Sequence, residues 1–231
     1  MGGLIFALLG FVGSHFLLSH PLRAPLVKRI GANAFLGLYS LVALATFYWV
    51  IVAFGAAPAS TPLWGVGDGI WAVASALMLI GSILFAGSLF GNPALPRPDA
   101  GDLAKAPARG VFGITRHPMM WGFAAWSAVH IAVSPQEKVI LLALAMGVLA
   151  LGGSYGQDIK KAQLMGDGWK DWAARTSFMP FGNQIKGKTG WRSAWPGLTV
   201  VLAGTVLWLG ASYLHPMLGA PVAGAWRWMG G

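Results

Sequence analysis

From Ala34 to Ala56 the chain runs AFLGLYSLVALATFYWVIVAFGA without one charged side chain. A helix of about 20 apolar residues crosses the hydrocarbon of a bilayer. Five more apolar runs of similar character follow or precede it, at about 2–19, 69–90, 118–134, 138–155 and 197–214. Six such runs leave little room for a water-soluble fold. The backbone of a spanning segment must satisfy its own polar groups, so each run is expected to be a helix. Barrel strands would alternate apolar and polar residues, and these runs do not. The expected fold class is all-α, a polytopic membrane helical bundle of about six transmembrane helices. No internal repeat is visible, and residues 1–231 read as a single domain.

Composition agrees: 56% of residues are hydrophobic and 10% charged, against about a quarter charged in an ordinary soluble domain. The formal charge of +9 does not signal nucleic acid, because the cations sit between the apolar runs. Arg23, Lys28 and Arg29 fall in segment 20–33, and Arg97, Lys105, Arg109 and Arg116 in segment 91–117. Lys160, Lys161, Lys170, Arg175, Lys186, Lys188 and Arg192 fall in segment 156–196. With six alternating spans these three segments share one side of the membrane, and only Lys138 and Arg227 fall on the other. Such a bias marks the cytoplasmic side. It predicts an integral protein of a bacterial inner membrane with both termini periplasmic. The N-terminus lacks a basic region and an A-x-A cleavage site, so it reads as a retained first helix. There is no cysteine, which excludes disulfides, iron–sulfur clusters and thiol nucleophiles.

Two connecting segments have a character of their own. Residues 91–110, GNPALPRPDAGDLAKAPARG, are dense in Pro, Gly and Ala and should be irregular. Residues 157–177 mix charges with Leu164, Met165, Trp169 and Trp172. They suit an amphipathic helix at the cytoplasmic interface, interrupted near Gly166–Gly168. Trp191, Trp195, Trp226 and Trp228 fall near span boundaries, where tryptophan anchors helices.

The residues able to carry chemistry are few. Ionisable groups are costly inside hydrocarbon and usually have a partner or a task there. Arg116, His117 and Pro118 stand at the entrance of the fourth span, and His130 lies inside it. Neutral imidazole is a common ligand of haem iron. Thirteen residues on one helix separate His117 from His130 by about 20 Å, so the two cannot share an iron. A second ligand must come from another helix, and His15 on the first span is available. Plainer readings stand beside these. His15 fits a helix-end role, His130 a hydrogen bond to a neighbouring helix, and His117 the start of a helix whose first residue is Pro118. Arg116 and Arg175 also fit as positive-inside charges. His20 and His215, each before a proline, read as boundary residues. The Met and Trp residues around Met119, Met120, Trp121 and Trp126 fit packing.

Three blocks carry a resemblance: GSHFLLSHPLR at 13–23, ITRHPMMWGFAAWSAVH at 114–130, and RTSFMPF at 175–181 with YLHPML at 213–218. With these the chain resembles the NnrU family of bacterial membrane proteins, associated with nitrite and nitric oxide reductase genes. The superfamily includes the plant zeta-carotene isomerase, a haem b protein that converts a cis double bond of a carotenoid precursor to trans. The resemblance implies haem b, held by His15 and His130, with His117 near the haem edge. Arg116, Arg23 and Arg175 become candidates for pairing the haem propionates, since guanidinium binds carboxylate in bidentate fashion. Leu149 stands near the position of a further isomerase histidine. By depth along the spans, His15 lies nearer the cytoplasmic side and His130 nearer the outside. One iron needs its two ligand nitrogens about 4 Å apart, at about 2 Å per bond, so a tilted first helix or the pair His15 with His117 would meet that demand.

The implied function is isomerase-like action on a hydrophobic small molecule, or an accessory role in denitrification. A rival resemblance leads elsewhere. Gly110 to Gly122 approximates a glycine-flanked RHP pattern of isoprenylcysteine carboxyl methyltransferases, and GDGWKDWAARTSFMP at 166–180 is similar to their later segment. That resemblance implies S-adenosylmethionine bound at the cytoplasmic face by Arg116 and His117. Gln157 and Asp158 stand where those enzymes carry paired glutamates. A non-enzymatic subunit of a respiratory complex is the third possibility.

Overall fold

The computed structural model describes residues 1–230. Its elements are helical, with no strand among the described residues. The apolar runs become α1 (Gly2–Ser19), α3 (Ala32–Ala56), α4 (Asp68–Ser88), α7 (Pro118–Val133), α8 (Glu137–Met165) and α11 (Leu198–Leu214). Of these, α1, α3, α4 and α8 are long and apolar enough to cross a membrane, and α11 is a shorter apolar helix. The expected polytopic helical bundle is therefore present. Outward-facing residues such as Leu41, Leu44, Tyr48 and Val52 on α3 are exposed. An unbroken apolar exterior of this kind has lipid as its natural solvent.

Neighbouring helices pack in the order α3–α1–α8–α7–α4–α11. Lipid supplies little hydrophobic drive between helices, so close backbone approach must do that work. Glycines permit it at the centre of the row. A Cβ placed on Gly122 of α7 would stand 2.8 Å from the Gly81 carbonyl oxygen of α4. One placed on Gly204 of α11 would stand 2.5 Å from the Ile83 Cα of α4.

The chain between spans is more ordered than its composition suggests. Segment 20–33 holds a short helix, α2 (Arg23–Ile30). The irregular stretch expected at 91–110 contains α5 (Ala100–Lys105), followed by α6 (Val111–Ile114). Helix α8 continues ten residues beyond the fifth expected span, taking up the first half of the expected interfacial helix. It breaks at Gly166, whose φ is +55°, a conformation that glycine adopts without penalty. Next comes α9 (Asp167–Arg175), then the single turn α10 (Gly182–Ile185).

Alternating helix directions bring the connections to two ends. At one end, Leu63 N–H donates to the Pro135 carbonyl and Trp64 Nε1–H to the Ala132 carbonyl. The C-terminal tail joins them there, with Trp226 Nε1–H on the Leu209 carbonyl and Arg227 paired with Asp68 at 3.1 Å. At the other end, α5, α6, α9 and segment 191–195 enclose a core of Leu84, Phe112, Ile114, Trp169 and Trp172. This second end carries the basic segments, so the charge bias of the sequence is a physical division of the molecule.

Candidate functional site

The RHP triplet sits at the basic end, where α6 gives way to α7. Pro118 occupies the first turn of α7 and His117 its cap, as proline's fixed φ favours. Residues 176–181 are strapped across this corner. Thr115 Oγ1–H and Trp121 Nε1–H both donate to the Phe178 carbonyl, at 2.7 and 2.8 Å. Arg116 N–H donates to the Ser177 carbonyl, and Phe181 N–H to that of Ile114.

Asp158 of α8 closes the triplet. Arg116 Nε and Nη2 donate to its Oδ2 at 2.9 and 2.6 Å. His117 Nε2 lies 2.8 Å from Oδ1 and must be the donor, because an ionised carboxylate only accepts. His117 is 2% exposed. The Arg116 guanidinium also lies over the Phe178 ring, 5.4 Å from its centroid. Bidentate pairing with a second donor on the same carboxylate gives a strong, directional lock between α7 and α8. The sequence offered one clue to Asp158: its position beside Gln157, where methyltransferases carry glutamates.

Other polar groups here also bind backbone. Lys161 Nζ donates to the carbonyls of Pro93 and Leu95, and Gln157 Nε2 to that of Ala94. The Arg175 guanidinium donates to the carbonyls of Ala104, Lys105 and Ala106. These bonds hold the Pro-rich stretch in place. Arg116 and Arg175 thus have protein partners, and Arg23 stands over the Phe35 ring.

The histidines divide between two cavities. His15 and His20 line an inner cavity of about 270 Å³ between α1, α3, α7 and α8, with Tyr39, Gln157 and Lys160. His130 and His215 line an outer cavity of about 400 Å³ near the other end, between α4, α7, α8, α11 and the tail. The structure does not bring His15 and His130 together. The two imidazoles line different cavities. Nor does His117 join His15, since it belongs to neither cavity and its Nε2 is held by Asp158.

The outer cavity has the chemistry that a buried cofactor needs. His130 Nδ1 lies 2.8 Å from the Trp126 carbonyl oxygen, which can only accept. In its neutral form the imidazole therefore presents a bare Nε2, the arrangement usual in metal-ligating histidines. Trp126 stacks on the ring at 4.0 Å and fixes its plane. His215 faces it with ring centroids 6.0 Å apart. Two bonds of about 2 Å to one metal, plus the two ring radii, set a spacing of that order. Trp71, Met78 and Trp208 supply apolar walls. Arg227 lies over Trp71 at 4.7 Å, and its buried Nε has no hydrogen-bond partner. The cavity offers a haem two facing imidazoles and apolar walls, and Arg227, paired with Asp68 through Nη2, keeps an unpartnered Nε–H beside Trp71. Sequence reasoning passed over His215 and Arg227. The signal was present in YLHPML, which belongs to one of the resembling blocks.

Among known families, the model described as NnrU protein matches residues 3–222. No curated protein and no solved structure matches the chain.

Proposed function

The chain belongs to the NnrU family of membrane proteins, and on that premise we propose that it binds haem b in its outer cavity. His130 and His215 would hold the iron, and Arg227 would pair a propionate. The single observation that carries this reading is the apolar cavity in which two imidazoles face each other with ring centroids 6.0 Å apart. Bound haem would supply an iron able to exchange electrons or, were one histidine released, to accept another ligand.

The protein's own residues do three things at this site. The Trp126 carbonyl fixes the His130 tautomer and ring direction. Trp71, Trp126 and Trp208 give the cavity apolar walls, which raise the strength of charge interactions inside it. The tail residues Leu218, Pro221 and Ala223 cover its outer mouth. Such a site suits a hydrophobic small molecule, and the reaction served is isomerase-like cis–trans conversion of a polyene or an accessory step in nitrogen-oxide metabolism. The closure of Arg116 and His117 on Asp158 favours this reading over cofactor binding at the RHP triplet. The charge division between the two ends supports a bacterial inner-membrane location with the basic end cytoplasmic and both termini periplasmic.

Protein purified from haem-replete cells should show a Soret band, with sharp α and β bands on reduction. A colourless protein overturns the proposal. His130→Ala and His215→Ala should each abolish or reshape the spectrum, and His15→Ala should leave it unchanged. Loss of colour in His15→Ala alone would move the haem to the inner cavity.

A further inference from the structure

The inner cavity has a different chemistry. Its deep wall is apolar, from Phe16, Phe123, Met146 and Leu149. Lys160 and Gln157 line it at the basic end, and His15, Ser19, His20 and Tyr39 are its other polar groups. Lys160 makes no hydrogen bond and no ion pair among the described residues. Lys161 is spent on the Pro93 and Leu95 carbonyls, and the carboxylate of Asp158 on Arg116 and His117.

Lys160 thus stands at the basic end of a largely apolar cavity with no anion to balance it. An unpaired cation is unfavourable at low dielectric, and an anion seated on it relieves that cost. The rest of the lining is mainly apolar, from Phe16, Met120, Phe123, Met146, Leu149 and Ala150. The arrangement calls for a molecule with a negative head and an apolar chain.

We propose that the inner cavity binds an anionic amphiphile, its carboxylate or phosphate head on Lys160 and its chain along Phe16, Met146 and Leu149. The cavity is smaller than the outer one and suits one chain and a head rather than a macrocycle. His15 lines the cavity as an acceptor rather than a donor. Its Nδ1 lies 2.7 Å from the Phe11 carbonyl oxygen, so its neutral ring leaves Nε2 bare, and Tyr39 stands edge-on to it at 5.6 Å. These groups shape the neck between head and chain. The site owes nothing to the outer cavity and stands whether or not haem binds there.

The test is thermal unfolding of the full chain in neutral detergent, with added oleate, phosphatidylglycerol or phosphatidylcholine. Oleate or phosphatidylglycerol should raise the midpoint above phosphatidylcholine at equal mole fraction. Oleate alone would identify a free carboxylate as the ligand, and phosphatidylglycerol alone a membrane lipid. Lys160→Gln should weaken the response roughly tenfold in ligand concentration, the worth of one charge-assisted hydrogen bond. Lys186→Gln, an exposed lysine at the same end, should keep it. Gly153→Leu keeps every charge and fills the cavity, because a Cβ there meets nothing within 4 Å. It should abolish the response while the protein still folds. The proposal fails if the anionic and zwitterionic ligands act alike. It also fails if both Lys160→Gln and Gly153→Leu respond as the wild type does.

Discussion

The two ends of this bundle treat their ionisable groups in opposite ways. At the basic end, Arg116 and the His117 Nε2 converge on Asp158, leaving only the buried His117 Nδ1 of the triplet's side chains without a partner, and Lys161 and Arg175 are spent on backbone carbonyls. Trp169 and Trp172 fill the space beneath, 2% and 1% exposed. At the other end, His130 and His215 line open volume, while Arg227 pairs with Asp68 through Nη2 and leaves its Nε without a partner. A closed network stabilises, whereas an open one is available to a ligand. The most conspicuous triplet in the sequence therefore belongs to the fold, and the less conspicuous histidines belong to the candidate site.

The largest effect should come from breaking the closed network. Asp158→Ala strips the acceptor from Arg116 and His117 together and leaves a partly buried guanidinium unpaired. Loss of one partner of such a pair costs about 3–5 kcal/mol, so the variant should be recovered in low yield and unfold at a clearly lower temperature. Asp158→Asn keeps the shape and should lie between it and the wild type. If Asp158→Ala unfolds like the wild type, the basic end is not held by this lock.

Trp172→Ala should come next. It removes a ring packed against Phe112 at 5.9 Å, at a cost of about 3–5 kcal/mol for a fully buried aromatic. Limited proteolysis should then cut first between residues 91 and 117. Equal protection in both proteins would show that this core does not hold the loop.

At the open end the pattern should reverse. His130→Ala and His215→Ala should shift the unfolding of ligand-free protein by less than about 1 kcal/mol, since neither ring closes a network across helices. Their effect should appear in the visible spectrum instead. A large loss of stability in ligand-free His215→Ala would make that residue structural and erase the contrast between the ends. The smallest effect is expected for Lys105→Ala, whose ion pair with Asp102 is exposed on both sides. Surface pairs of this sort contribute little, and no measurable change in unfolding is expected.

Much of the fold was legible in the residues. The apolar runs could be read because a spanning helix needs a fixed length of apolar sequence, and four of them became long membrane-compatible helices. The break near Gly166 and the helix start at Pro118 follow from backbone rules that act locally. Helices α2 and α5 were not legible, because each is short and its order comes from contacts elsewhere in the chain. The same holds for the 91–110 stretch, whose Pro and Gly content says nothing of the lysine and arginine that tie it down. The candidate site was legible in half. His130 was singled out and His215 set aside, because their sequence separation hides the fact that α7 and the tail end beside each other.

Residue type and order alone thus determined the apolar helices, the gathering of positive charge at one end and the absence of thiol chemistry. Those properties depend on solvation and on neighbours along the chain. Which groups are paired and which are free was decided only by the tertiary structure. Asp158 reaches Arg116 and His117, and His130 meets His215, because α8 and the tail pack against α7. No local rule carries that information. A bond between side chains dozens of residues apart depends on how helices sit side by side, here α8 against α7 and α11 against α4.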